Sequence, residues 1–182
     1  MNRALLRILA AVAVSAALGG CASLSKDECL AANWEDIGVR DGANGRPEEY
    51  LIQHSTACAR VNVVPDRGAW LHGRERGLER FCVPHRAFAI GESGGGFDSG
   101  ICHNFDLDRL QVAYQKGLDV NRLGGELAAI DAEIRDINST LEKKDLENKE
   151  RERLAFRLGV LVGQRGEAQR AYDDARYRAR DL

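Results

Sequence analysis

Trp70-Leu71-His72-Gly73-Arg74-Glu75-Arg76-Gly77-Leu78-Glu79-Arg80-Phe81-Cys82 joins an aromatic residue, two glycines four apart, a second aromatic and a cysteine. Imperfect copies flank it. Trp34-Glu35-Asp36-Ile37-Gly38-Val39-Arg40-Asp41-Gly42 repeats the four-residue glycine spacing, and Tyr114-Gln115-Lys116-Gly117-Leu118 sets an aromatic three residues ahead of its glycine. In a helix, residues four apart share a face, so paired glycines let another backbone come close while the neighbouring aromatic covers the contact. The stretch therefore predicts a repeated helix-packing device. Nothing in it activates a nucleophile or cradles a phosphate.

Working outward, the N-terminus has Arg3 and Arg7, an apolar run over residues 8–18, and Leu18-Gly19-Gly20-Cys21. This is the layout of a signal peptide over residues 1–20. The small residues directly before a cysteine resemble a bacterial lipobox, with Cys21 as the lipid-attachment residue and the first residue of the mature chain. The apolar run is too short to span about 30 Å of hydrocarbon. Ala22 stands where an aspartate would resemble an inner-membrane retention signal, so the expected location is the periplasmic face of the outer membrane.

Residues 21–120 hold 11 Lys/Arg, 15 Asp/Glu and all three prolines, whereas residues 121–182 hold 13 charges of each sign and no proline, cysteine or histidine. The change near Asn121 divides the mature chain into a tether (21–26), a small domain (27–120) and a charged helical extension (121–182). Neither part has the one-sided basic excess of a nucleic-acid-binding surface. Cys29, Cys58, Cys82 and Cys102 all lie in the small domain, and four cysteines in an exported chain read as two disulfides. Three pairings are possible. Cys29 with Cys58 and Cys82 with Cys102 are favoured because each closes a modest local loop, contributing roughly 3–4 kcal/mol in the chain-entropy model.

Helical character runs over residues 27–40, with Leu30, Trp34 and Ile37 in register, and again from Pro47 to about residue 60. Residues 61–64 read as a β-branched link. The Trp70 helix is expected from about Asp66 to Phe81, with Pro84 ending it, followed by a brief apolar run at 88–90 and a glycine-rich loop over 91–100. From Asp106 onward the chain is helical. Leu123, Leu127, Ile130, Ile134, Ile137 and Leu141 form a heptad seam that fails at Lys144, Asn148 and Arg151, before a new apolar set at Leu154, Leu158 and Leu161. A turn near residues 143–148 folds these into an antiparallel, coiled-coil-like hairpin; an unbroken coiled coil would bury three polar residues in succession. The expected fold is mainly α, a disulfide-stapled helical domain followed by a long helical hairpin.

Several patterns suggest chemistry and have a plainer reading. Gly91-Glu92-Ser93-Gly94-Gly95 matches G-x-S-x-G, but a nucleophile elbow needs a strand before it and a helix after it, and here a glycine run follows. Cys82-x-x-His85 with Cys102-His103 would supply two thiolates and two imidazoles for zinc, against which stand the oxidising compartment and the disulfide reading. Asp36 with Asp41, Glu48 with Glu49, and Asp106 with Asp108 could serve as an acid and a base. Acidic pairs are common on solvated faces, however, and Glu48-Glu49 also fits the start of a helix. His54 and His72 read as satisfied or surface side chains. No catalytic residue, metal or cofactor is expected.

The lipobox, Cys29, the 34–45 segment, Cys58, the 70–82 segment, Cys102 and Tyr114-x-x-Gly117, followed by a charged helical tail, together resemble a family of proteobacterial lipoproteins catalogued as domain of unknown function 2799. The likeness covers about residues 27–120, and Trp70 stands where the family pattern often has tyrosine. The resemblance implies envelope localisation and paired cysteines, and it implies no activity, substrate or cofactor. The resulting expectation is a non-enzymatic lipoprotein held to the membrane by its lipid, with a structural or protein-interaction role and an envelope protein partner on the C-terminal hairpin. The alternative is a module for peptidoglycan or a small ligand, using Trp34, Trp70, Phe97 and the 91–100 loop.

Overall fold

The computed structural model describes residues 22–181, so the signal segment and Cys21 lie outside the described residues. Among the described residues, seven α-helices carry the fold and no strand occurs. The chain divides between Arg80 and Phe81 into two units.

The first unit holds α1 (Lys26–Leu30), α2 (Trp34–Ala43), α3 (Tyr50–Cys58) and most of α4 (Arg67–Phe81). Its core is Leu24, Cys29, Ile37, Ala57, Cys58 and Trp70. Of residues 21–26, expected as a polar tether, 23–26 are built into this unit. Leu24 is 1% exposed, and Ser25 caps α1 in a reciprocal capping box with Glu28. A leucine among the serines and charges was outvoted by composition, yet one buried leucine contributes about 1.5–3 kcal/mol and suffices to dock the segment.

Asn33 caps α2, accepting from the N–H groups of Glu35 and Asp36. The helix expected from Pro47 is shorter than the sequence suggested. Residues 48 and 49 form a turn, α3 begins at Tyr50, and a 3-10 turn (Ala59–Val61) ends at Asn62, whose left-handed φ of 56° is one that asparagine tolerates. The Asp66 carboxylate accepts from Ala69 N–H at the start of α4.

The second unit holds α5 (Pro84–Glu92), α6 (Leu107–Leu141) and α7 (Asn148–Arg178). Pro84 begins a helix here, because its missing N–H costs nothing in a first turn. Residues 88–92, expected as an apolar run entering a loop, are therefore helical. The glycines after Ser93 close α5: Gly94, at φ 73°, donates to Gly91 O, and Gly95 donates to Ile90 O, both at 2.9 Å, the paired bonding of a Schellman motif.

The compositional change near Asn121 falls inside α6, which runs unbroken through it. The seam inferred from the sequence faces α7, with Ile137 and Leu161 buried and Leu123, Leu127, Ile130, Ile134, Leu154 and Leu158 half-buried. Arg157 donates to both carboxylate oxygens of Glu133 at 2.7 and 2.9 Å, and Arg165 donates to Asp131 at 2.6 Å, so charges flank the apolar seam. Arg151, one of the three polar residues at which the heptad fails, donates to Leu141 O and Lys143 O and ties the turn between the helices. Among the described residues no helix is long and apolar enough to cross a membrane.

Candidate functional site

The repeated glycines are sites of backbone contact. A methyl group built on Gly42 of α2 would lie 3.0 Å from Gly77 Cα, and one on Gly77 of α4 would lie 2.9 Å from Gly42 Cα and 2.7 Å from Ala43 N. Gly38 meets the backbone of residues 70–74, and Gly73 meets that of Glu35. Residue numbers rise together along both helices, so α2 and α4 run parallel at the crossing. The second unit repeats the device between α5 and α6. A methyl on Gly117 would lie 3.0 Å from Gly91 Cα, and one on Gly91 would lie 2.9 Å from Leu118 N. Phe88-x-x-Gly91 thus completes Tyr114-x-x-Gly117, an aromatic-to-glycine spacing present in the sequence but obscured there by the glycines that follow.

Beside the first crossing a chain of polar groups begins at half-buried Ser23 and runs into the core. Ser23 Oγ lies 2.8 Å from His54 Nδ1, and His54 Nε2 lies 2.7 Å from Asp41 Oδ2. The Trp70 indole N–H donates to the same Asp41 oxygen at 2.8 Å. Asp41, His54 and Trp70 are 5%, 1% and 0% exposed, so each depends on the others to satisfy its polar atoms. With a neutral imidazole, Nε2–H donates to Asp41 and Nδ1 accepts the serine hydroxyl proton. Arg74, also buried, donates through Nε to Arg46 O at 2.7 Å and lies over the Trp70 ring, 6.0 Å from its centroid.

Serine, imidazole and carboxylate in line have the composition of a hydrolytic triad, but the surroundings are those of a latch. Trp70 shares the carboxylate oxygen, Leu24 is packed in the core, and Ser25 N–H donates to the Glu28 carboxylate rather than toward Ser23. These contacts hold residues 23–25 to the fold.

Of the aromatics read as a ligand or packing surface, Trp70 is fully buried and Trp34 packs half-buried against the first core. Phe97, in the second unit, stacks on Phe81 with centroids 6.3 Å apart and packs on Tyr114 at 5.6 Å, whose hydroxyl donates to Gly95 O. Each works in packing within its own unit. The cysteines pair as Cys29–Cys58 and Cys82–Cys102, with Cα atoms 5.4 and 5.6 Å apart, so the thiols that a zinc site would need are bonded to one another. His103 Nδ1 lies 3.1 Å from Gly100 O, and His72 pairs with Glu35.

The glycine-serine motif has a helix, not a strand, ahead of it. Ser93 caps the end of α5 and donates to Ile90 O at 2.8 Å. The acidic pairs separate by role: Asp36 accepts from Asn33, Asp41 lies in the polar chain, Glu48 faces Arg67 and Arg74, and Asp106 caps α6. In the second unit an open groove of about 450 Å³ is lined by Phe88, Glu92, Asp173, Arg176, Ala179 and Arg180, acids and arginines in equal number.

The sequence reading missed Ser23, Asp41 as a shared acceptor, and Arg74. Partner identity across 13 to 31 residues of chain carries no local signal. Comparison with curated proteins and with solved structures gives no match. The model of the family described as "Protein of unknown function (DUF2799)" matches residues 33–119, the part of the chain containing both glycine crossings.

Proposed function

We propose that this protein is a non-enzymatic lipoprotein, acylated at Cys21 and held at the periplasmic face of the outer membrane, with a structural or protein-binding role in the cell envelope. The observation that carries this reading is the placement of Ser23 and Leu24. A hydrogen bond to His54 and a seat in the core begin the folded unit two and three residues after the expected acylation site. Two residues of extended chain reach about 7 Å, so the first unit would rest against the lipid headgroups. Two disulfides and side chains that satisfy one another suit a rigid module in an oxidising compartment. The second unit offers a long helical hairpin as its binding element.

Replacing Cys21 by serine tests the anchor. The expected result is soluble or unprocessed protein in place of a mature acylated form in the outer-membrane fraction. A mature acylated form persisting in that fraction would overturn the assignment.

A further inference from the structure

We propose that the outward face of α7 is a self-association surface, which takes the same face of a second copy of this chain in antiparallel register. Phe156-x-x-Gly159-x-x-x-Gly163 on α7 reproduces the spacing of Trp70-x-x-Gly73-x-x-x-Gly77 on α4. At both crossings inside the chain, helical glycines on one helix meet glycines of another at backbone distance. At Gly159 and Gly163 a side-chain methyl would meet nothing within 4 Å. Gly125 is also open, but Arg122 rather than an aromatic stands three residues before it.

At 100° per residue, Phe156, Gly159 and Gly163 lie on the side of α7 opposite buried Leu161. Phe156 is 77% exposed, and Val160 and Val162 are 38% and 57% exposed, so the face is apolar as well as small. Glycine is among the poorest residues in a helix interior, and here neither glycine is needed by a contact within the chain. The face lacks only its partner.

Charge selects that partner and its direction. With Gly159 against Gly163 of a second copy, the antiparallel register brings Phe156 over Gly166 of that copy and Glu152 against its Arg170; two-fold symmetry makes each contact twice. Neither Glu152 nor Arg170 forms an ion pair among the described residues. A parallel pair would instead set Glu152 against Glu152 and Arg170 against Arg170. The inference is independent of the lipid anchor.

Sedimentation of the full chain, in detergent where acylated, should show a concentration-dependent dimer. Gly159→Leu combined with Gly163→Leu should weaken it at least about tenfold, with helix content unchanged because leucine is the better helix former. Glu152→Arg or Arg170→Glu alone should weaken it by about two- to fivefold, and the two together should restore it, as expected for exposed ion pairs. A photo-cross-linking residue at position 156 should join α7 of a second copy near Gly166. A monomer at all concentrations, a dimer indifferent to the leucine pair, or cross-linking only to a different protein would overturn the proposal. Failure of the charge exchange to restore association would overturn the antiparallel register.

Discussion

Gly42 and Gly77 meet backbone to backbone, so closely that a methyl group on either would lie within 3.0 Å of the other's Cα. Because the opposing atoms are main chain, they cannot rotate away. Gly77→Ala should separate α2 from α4 and destabilise the first unit by about 1–3 kcal/mol or more, as overpacking does. Gly91→Ala should act likewise on the second unit. Thermal or urea unfolding followed by circular dichroism checks both, and a gain in stability from either would refute the backbone-contact account.

Asp41 accepts from both His54 and Trp70 inside the first unit. Asp41→Ala leaves two buried donors without an acceptor, at about 1–3 kcal/mol each. Ser23→Ala deletes only the outer, half-buried link and should cost less, about 0.5–1.5 kcal/mol. Urea midpoints of the two variants should rank in that order.

Cys82 and Cys102 close a loop of 20 residues and Cys29 and Cys58 one of 29. Removing either pair as serines should cost about 2–5 kcal/mol. Peptide mapping without reduction should recover these two linked pairs. Recovery of the crossed pairs instead would contradict the structure.

Arg151 holds the hairpin turn by donating to Leu141 O and Lys143 O. Arg151→Met keeps the aliphatic stem and helix propensity but loses both bonds, so it should destabilise the hairpin by about 1–3 kcal/mol. Hydrogen exchange should report faster opening at the turn end of α6 and α7.

Hydrogen bonds from Arg157, followed by its charge, hold the Glu133 carboxyl below its ordinary value of 4.5. A carboxyl lowered in the folded state contributes stability that is fully present above the unfolded value and is lost as pH falls through the folded one. The hairpin should therefore weaken as the pH drops below about 4.5, and Glu133→Gln should lose part of that dependence. Urea midpoints at pH 7 and pH 3 for both proteins measure the difference.

The sequence by itself determined those features whose signal lies within a few turns of chain. The glycine spacings around Trp34, Trp70 and Tyr114 announced close helix contacts, and the seam from Leu123 to Leu141 with its break at Lys144, Asn148 and Arg151 announced the hairpin. Local loop length also favoured the observed cysteine pairing. These are legible because helical periodicity and short loops are local properties.

Only the tertiary structure decided which glycine faces which, that Phe88 and Gly91 continue a helix to meet Gly117, and that Leu24 belongs to a core. It also decided that Asp41, His54, Ser23 and Trp70 form one polar chain. Such pairings depend on which groups must satisfy one another once water is excluded, and burial is a property of the assembled helices rather than of any one stretch of sequence.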